Sequence, residues 1–384
     1  MKPLPVTARL PLSALPSHTL RSPRRRRLMQ GGLPLLASLG LLPAPRAGQA
    51  VALKDDESVL ALPGILQVNA EGPMQAHVHL WVYEDERRPG VRRLFARYLG
   101  IDLARLDEAR RQRYIARAGL FLKDSERGKV LRVRLPGGAE ATLPASDAAG
   151  RTSAELPVPR EAWDGSTAPL DYTVLDCPGP KCRGQLWPVP PQGLSVVSDI
   201  DDTIKISGVG NTRRLLRNTF VNVFKPVPGM AAWYQRLKAQ EKTGICFHYL
   251  SSSPMQLLQP LQQFLADEGF PAGCLHLRES TAWHSLLPGN GDSEKHKLGV
   301  LRQLLKAFPQ RRFLLIGDSG EADPEIYAEV AREHPQQVEG IVIRDVTGQP
   351  AGATRYRETF AGLPPGHWHI IRDGDDGAAL ALKR

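Results

Sequence analysis

The sequence has few cysteines, and their spacing excludes the common structural zinc sites. Four cysteines occur in 384 residues: Cys177, Cys182, Cys246 and Cys274. Structural zinc sites use two closely spaced ligand pairs or cysteines completed by histidines, and this sequence shows neither pattern. Cys177 and Cys182 bracket a Pro-Gly turn, so in an oxidising compartment they are candidates for a small disulfide loop. Cys246 lies in an apolar run and is expected to be a buried core thiol.

Outside the first fifty residues, basic residues hardly outnumber acidic ones. The formal net charge is +10, but residues 1–50 hold eight Lys or Arg and no Asp or Glu. Without that segment, 42 basic residues face 40 acidic residues, which leaves a net charge of +2. A basic surface is the electrostatic signature of nucleic-acid binding. The distribution therefore argues against a nucleic-acid partner.

Residues 1–50 have the pattern of an export signal. A basic stretch precedes a moderately apolar stretch, and small residues before Ala50 suit cleavage there. The apolar stretch is too short, and too broken by Pro34 and Pro43, to span a bilayer. "RRRLMQ" at 25–30 also resembles the twin-arginine pattern, which implies export in the folded state. We expect a periplasmic or exported protein, and a basic disordered tail is the alternative.

Short apolar stretches separated by Gly, Pro and charged residues fill positions 51–163. His77 and His79 alternate with apolar residues across one predicted strand. A helical pattern over about Val91 to Ala118 interrupts these stretches. We predict a small β-rich domain with a helical insertion, followed by a Pro/Gly-rich linker over 164–193.

A larger α/β domain is predicted over 194–384. Its short apolar strands alternate with amphipathic helices, which implies a Rossmann-like parallel sheet with right-handed crossovers and helices on both faces. In such sheets ligands bind beyond the carboxyl ends of the strands. An insert at about 207–242, after the first strand, is where a cap over the site is expected.

Four polar clusters accompany these predicted strands. They are Asp199-Ile200-Asp201-Asp202-Thr203, Ser251-Ser252-Ser253, Lys297 at the start of a predicted helix, and Gly317-Asp318 with Asp323. Singly, each has a structural explanation as a solvated turn, a helix N-cap, a surface lysine or a tight turn. Acids, a hydroxyl and a lysine arriving together at one edge of one predicted sheet favour a catalytic site.

The residue types fit phosphoryl-transfer chemistry. Asp199, Asp318 and Asp323 provide hard oxygen ligands suited to Mg2+. Ser251 and Lys297 can hold phosphoryl oxygens. A carboxylate in that field can attack phosphorus to give an aspartyl-phosphate, and a second carboxylate two residues on can protonate the leaving oxygen and later activate water.

The motifs resemble those of a known superfamily. D-x-D-x-T after an apolar strand, a hydroxyl residue after the next strand, a downstream lysine and a strand ending in G-D resemble the four motifs of haloacid dehalogenase superfamily phosphatases. "SDIDDTIKISGV", "YLSSSPMQL", "HKLGVLRQLLKAFP" and "LLIGDSGEADPEIY" resemble more closely the actin-patch type of Mg2+-dependent phosphatidate phosphatase and its bacterial relatives. This resemblance covers about 194–345, and 51–163 resembles the poorly characterised domain that precedes it in bacterial members.

The resemblance implies a role for each position. Asp199 is implied to be the nucleophile and a Mg2+ ligand. Asp201 is implied to be the general acid/base, with its backbone carbonyl also on the metal. The other positions are implied to hold the loop and the phosphoryl group (Thr203, Ser251, Lys297) or the Mg2+ ion (Asp318, Asp323).

The expected function is therefore a Mg2+-dependent phosphatase acting on a phosphomonoester, with phosphatidate, hydrolysed to diacylglycerol, as the first substrate to test. A phosphatase for a small soluble ester and a non-catalytic periplasmic binding module are the alternatives. Arg213, Arg214 and Arg217 lie among apolar residues in the cap insert. That pattern suits peripheral contact with a phospholipid surface, or equally an amphipathic helix packed on its own domain.

Overall fold

The computed structural model describes residues 52–84, 90–177, 182–241, 244–280, 286 and 290–380. The expected leader over 1–50 lies outside these residues. The first part of the described chain is a mostly antiparallel nine-stranded sheet. Its strands are β1 (Glu57–Leu62), β2 (Gly64–Gln67), β3 (Met74–Glu84), β4 (Asp124–Ser125), β5 (Arg132–Arg134), β6 (Glu140–Thr142), β7 (Arg151–Val158), β8 (Leu170–Val174) and β9 (Arg183–Val189).

The long strand β3 organises this sheet. It pairs antiparallel with β7 along one edge and with β1 and β2 along the other. Buried Val78 and Leu80 alternate with half-buried His77 and His79, because successive side chains of a strand point to opposite faces. The strand predicted around these residues is confirmed.

The predicted helical insertion consists of two helices that leave the sheet. They are α1 (Val91–Tyr98) and α2 (Glu108–Ala118), and the Asp107 carboxylate caps α2 by accepting a hydrogen bond from the Arg110 backbone N–H at 2.8 Å. Phe95 of α1 and Phe121 after α2 both pack edge-on against Phe220 of the second region. The insertion therefore shares a core with the second region.

The segment 164–193 is not a linker, because it contributes β8 and β9 to the sheet. β9 pairs with β8 and, in parallel, with β2. The two strands have a buried apolar face formed by Tyr172, Val174 and Leu186. The Pro/Gly-rich composition of the segment gave no indication of this alternation. Cys177 and Cys182, which the sequence left as candidates, form a disulfide in the connection between the two strands, with their Cα atoms 5.9 Å apart.

The second region is built on a six-stranded parallel sheet in the order β12-β11-β10-β13-β14-β15. Its strands are β10 (Leu194–Ser198), β11 (Cys246–Pro254), β12 (Cys274–Arg278), β13 (Arg312–Asp318), β14 (Val338–Arg344) and β15 (Trp368–Ile371). Its helices are α3 (Thr212–Phe220), α4 (Met230–Gln240), α5 (Leu258–Asp267), α6 (Asn290–Ala307), α7 (Asp323–Glu333), α8 (Thr354–Thr359) and α9 (Gly374–Ala379). The predicted α/β class with a parallel sheet is confirmed, and the short strand β15 is an addition.

Helices cover both faces of this sheet. Val196 and Ile316 pack into a core that includes α4 and α5, whereas Val197 and Leu315 pack into a second core that includes α6 and α7. Neighbouring strand residues face opposite sides, so both faces of the strands are apolar. Cys246 and Cys274 are free and buried, as expected for Cys246.

The strand order reverses at β10, and this places the polar clusters. From β10 the chain goes to β11 on one side and later to β13 on the other, which creates the crevice where such sheets bind ligands. Asp199 directly follows β10 and its backbone N–H donates to the Ile316 carbonyl of β13 at 2.8 Å. α3 and α4 occupy the predicted cap insert. No helix within the described residues combines the length and apolar character needed to cross a bilayer.

Candidate active site

The loop after β10 is held in shape by Asp202, to which the motif assigns no role. Asp202 is the one described non-glycine residue with a positive φ, +57°, a conformation that aspartate tolerates better than most residues. Its carboxylate accepts the backbone N–H groups of Ser207, Gly208 and Val209 at 2.8, 2.9 and 2.6 Å. These bonds fold the beginning of the cap insert back onto the loop that carries Asp199 and Asp201.

Asp199 is buried and oriented by two neighbours. Its Oδ2 accepts a hydrogen bond from Thr203 Oγ1 at 2.8 Å. Its Oδ1 lies 3.0 Å from Lys297 Nζ but receives no hydrogen bond. Because Thr203 fixes one oxygen, the other faces the centre of the site.

Lys297 is fully buried among three acids. Besides Asp199, its Nζ lies 2.5 Å from Asp323 Oδ1 and 2.9 Å from Glu321 Oε2. Burial alone would lower the pKa of Lys297, but the adjacent carboxylates raise it well above its usual value. The lysine is therefore a permanent ammonium group.

Asp199, Asp318 and Asp323 form a carboxylate cluster in which one ligand oxygen from each lies within 4.8 Å of the others. Burial raises the pKa of Asp199 and of Asp318 well above the ordinary range, and the carboxylate of Asp323 adds to both shifts. Asp318 Oδ2, like Asp199 Oδ1, is buried with no hydrogen-bond partner. Fully ionised, the cluster would hold more negative charge than Lys297 neutralises, which is why the raised pKa values favour protonation of these acids.

These features fit a bound Mg2+ ion. Two orphaned buried carboxylate oxygens are available ligands, and Mg2+ prefers hard oxygen donors. A divalent cation would also offset the excess charge that burial makes unfavourable. The residues present therefore suit the ion that the sequence predicted.

Asp201 has a different environment from Asp199. Its Oδ1 accepts hydrogen bonds from Lys205 Nζ at 2.6 Å and Ser207 Oγ at 2.7 Å, and its Oδ2 accepts from Ser251 Oγ at 3.0 Å and Ser253 Oγ at 2.9 Å. Burial would raise the pKa of Asp201, but Lys205 and the hydroxyl donors lower it far below the usual range. Asp201 is therefore a carboxylate in this arrangement.

An apolar pocket opens beside Asp201. It is a cavity of about 60 Å³ that also touches Ser252, Ser253 and Glu321. Most of its wall is apolar: Val209, Leu215, Leu216, Phe220, Pro254, Leu257 and Leu286. α3 of the cap insert supplies one side of this wall, so the cap predicted from the sequence borders the site.

Comparison with known proteins shows what this region is similar to. Residues 194–345 match the sequence model of the family described as "Phosphatidate phosphatase APP1, catalytic domain". Phosphatidate phosphatase APP1 of Saccharomyces cerevisiae is 36% identical over 160 residues, which are 41% of this chain and 26% of the yeast protein. An uncharacterized protein of Schizosaccharomyces pombe is 30% identical over 179 residues, 45% of this chain and 28% of that protein. The chain therefore spans about a quarter of the length of these curated relatives.

The second region brings together every residue that the sequence predicted for the catalytic site. Asp199, Asp318, Asp323 and Lys297 meet at the carboxyl ends of β10 and β13, and Thr203 binds Asp199. Ser251 lies against Asp201. One detail differs: Lys297 does not open its helix, because α6 already begins at Asn290.

Three further residues complete the site, and the sequence assigned no role to them. Glu321 binds Lys297, and Lys205 and Ser253 bind Asp201. Sequence signals for them exist: Lys205 stands between two isoleucines, and Ser253 lies two residues from Ser251, on the same face of a strand. Glu321 lies between Asp318 and Asp323 in "GDSGEAD".

Proposed function

We propose that this chain is a Mg2+-dependent phosphatase that hydrolyses a phosphomonoester, with phosphatidate as substrate and diacylglycerol as product. One observation carries the proposal: Asp199, Asp318 and Asp323 converge on buried Lys297 within a segment of the phosphatidate phosphatase catalytic family. Burying these charged groups costs free energy of desolvation, and a purely structural role does not require it. Perturbed, buried acids in a crevice are typical of catalytic sites.

Asp199 is the proposed nucleophile. Its carboxylate oxygen forms a bond to phosphorus while the bond from phosphorus to the leaving oxygen breaks, which leaves an aspartyl-phosphate. Thr203 keeps the carboxylate in one orientation by binding Oδ2. Lys297 and Ser251 are proposed to hold the phosphoryl oxygens, the lysine as a point charge.

Asp201 is proposed to move the protons. It gives a proton to the leaving oxygen and later takes one from the water that hydrolyses the aspartyl-phosphate. Lys205 holds Asp201 as a carboxylate, the protonation state from which the second step starts. We infer that the first step requires Asp201 to separate from Lys205, since a protonated acid cannot form there at neutral pH.

Asp199, Asp318 and Asp323, with the backbone carbonyl of Asp201, would hold the Mg2+ ion. When bound, the ion neutralises negative charge on the carboxylates and the phosphoryl oxygens. Lys297 keeps part of that charge balanced in the protein itself.

The apolar pocket and the outer face of α3 support a lipid substrate. The pocket beside Asp201 is walled mainly by apolar side chains, which suits contact with part of an acyl chain. On α3, Arg213, Arg214 and Arg217 are exposed, and Val223 just beyond the helix is 60% exposed. Basic and apolar groups together favour peripheral contact with an anionic membrane surface.

Export is a separate part of the proposal. The leader pattern over 1–50 supports a periplasmic location, and the Cys177–Cys182 disulfide is consistent with an oxidising compartment. Mass spectrometry of the N-terminus of the periplasmic protein tests this. Cleavage after Ala50 is expected, and an intact first residue in that fraction contradicts it.

Substrate class is tested by phosphate release from phosphatidate in mixed detergent micelles, compared with a panel of water-soluble phosphomonoesters. At equal concentrations of accessible substrate, we expect phosphatidate to be hydrolysed faster than the soluble esters. Release from soluble esters alone would keep the chemistry and replace the lipid with a small ester. Release from neither would favour a non-catalytic binding module.

A further inference from the structure

A cavity of about 950 Å³ lies between the nine-stranded sheet and the catalytic domain. One wall comes from β2, β3 and β7, and the other from β12 and α6. Its volume is in the range of small-molecule sites. None of the proposed catalytic or metal-binding residues lines it, so it is distinct from the active site.

The wall formed by α6 changes from polar to apolar along the helix. Asp292, Lys295 and His296 line the cavity in the first half, whereas Val300, Leu304 and Phe308 line it in and just beyond the second half. These positions recur every three or four residues, so they share one helix face. The face is roughly 24 Å long at about 1.5 Å per residue.

The opposite wall matches this polarity. Gln67 Nε2 donates to the Ala307 carbonyl at 3.3 Å, which places β2, with Ile65, at the apolar end. At the other end, the Glu279 carboxylate lies 3.2 Å from Arg151 Nη1 and 3.0 Å from His79 Nδ1. The cavity is therefore amphipathic along its length.

The polar end has unused capacity for an anion. Glu279 is engaged by Arg151 and His79. By contrast, no ion pair joins Lys295 to a carboxylate within the described part of the chain. His296 Nε2 is buried there without a hydrogen-bond partner. A buried polar atom without a partner is unfavourable unless a ligand or water satisfies it.

We propose that this cavity binds an amphiphile with an anionic head and a single apolar chain. The head group lies at Lys295 and His296, and the chain follows the apolar half of α6. Free phosphate would leave that half unfilled, and a neutral hydrocarbon would leave Lys295 and His296 Nε2 without a partner. Because α6 also carries Lys297, an occupant would contact the helix that positions a proposed phosphate-binding residue. The inference does not depend on phosphatase activity.

Calorimetric titration of the full chain with dodecanoate, below its micelle concentration, tests the proposal. One molecule is expected to bind per chain. Lys295→Gln should weaken binding roughly tenfold through loss of one charge-assisted interaction. Val300→Trp, which fills the apolar half, should weaken it by at least about tenfold. Lys306→Gln, an exposed lysine on the same helix outside the cavity, is the matched control and should bind as the wild type does.

Separate titrations with inorganic phosphate and with dodecanol identify the recognised group. Both should bind at least about tenfold more weakly than dodecanoate, because phosphate lacks the apolar chain and dodecanol lacks the anionic head group. Equal binding of phosphate, equal binding of dodecanol, or dodecanoate binding that neither variant weakens would overturn the proposal. Dodecanoate has no phosphoryl group, so the result is independent of whether the chain hydrolyses phosphatidate. Thermal melts of the variants identify any that fail to fold, and Lys295→Gln is a surface change.

Discussion

Lys297 is the residue that makes the buried acidic cluster possible. Its Nζ contacts Asp199, Asp323 and Glu321 while the side chain is fully buried. A buried ion pair contributes little net stability, but removing one partner leaves uncompensated charge behind. The residue therefore has a structural role in addition to its proposed role in phosphate binding.

Lys297→Met is expected to lower the free energy of unfolding by about 3–5 kcal/mol in the presence of chelator. Mg2+ should restore part of this loss, because the ion offsets the same carboxylates. Denaturant unfolding with and without Mg2+ measures both effects. Lys306→Met, an exposed change on the same helix, serves as the control. Equal stability of the two variants would argue against an acidic cluster that depends on Lys297.

Spacing predicted the ligands of this site but not their orientation. Asp199, Asp201 and Thr203 were identifiable because D-x-D-x-T follows an apolar strand, and Asp318 because G-D ends another. The partners Lys205 and Glu321 were not, since their side chains reach the site through loops whose turns depend on contacts such as those of Asp202. A one-dimensional pattern does not specify such turns.

At the scale of elements, α2 of the first region holds α3 of the cap insert. Arg117 Nη1 donates to the carbonyls of Thr219 and Asn222 at 2.9 and 2.7 Å, and its guanidinium lies 3.7 Å from the centre of the Phe224 ring. Burial lowers the pKa of Arg117 to about 10, so it remains charged at neutral pH. α2 thereby satisfies carbonyls at the end of a helix that walls the pocket beside Asp201.

Arg117→Ala should reduce the free energy of unfolding by about 1–3 kcal/mol, since several hydrogen bonds to carbonyls and one cation–π contact are lost. It should also lower turnover, because α3 loses part of its support. Arg110→Ala on the same helix removes a surface pair with Asp107 and should change stability by less than about 0.5 kcal/mol. Equal effects of the two substitutions in thermal and kinetic assays would refute the role of α2.

Strand β11 contains a buried histidine in the core of the sheet. His248 is 1% exposed, and its ring nitrogens meet Ser195 Oγ at 3.3 Å and His276 Nε2 at 3.2 Å. Burial lowers the pKa of His248 well below its usual value, with the neighbouring His276 and Arg311 adding to the shift. The folded protein thus keeps this ring neutral.

This shift predicts a pH dependence of stability. The unfolded chain binds a proton near pH 6.5 that folded His248 rejects, so stability is lost as the pH falls below that value. Below about pH 6 the wild type should lose up to about 1.4 kcal/mol more per pH unit than His248→Gln. Urea unfolding between pH 4 and 8 compares the two. Parallel pH profiles would show that His248 titrates normally in the folded protein.

At the scale of the whole molecule, alternation of apolar strands and helices predicted the parallel sheet. Because the carboxyl ends of parallel strands lie at the same edge, the acids that follow them were expected together. Amino-acid composition gave the wrong prediction where a segment becomes a strand only by pairing with a distant part of the chain. Pro/Gly-rich residues 164–193 contain β8 and β9, and the short strand β15 gains its partner only through the register with β14. The cavity between the two sheets was invisible for the same reason.

Phosphate release from phosphatidate micelles, with Mg2+ and with chelator, for the wild type and Asp199→Asn, tests the central claim most directly. Asp171→Asn, an exposed change in β8, is the control. We predict Mg2+-dependent release by the wild type and the control, and a loss of at least about 1000-fold in Asp199→Asn. Release that survives either the chelator or Asp199→Asn would contradict a metal-dependent site with Asp199 as its nucleophile.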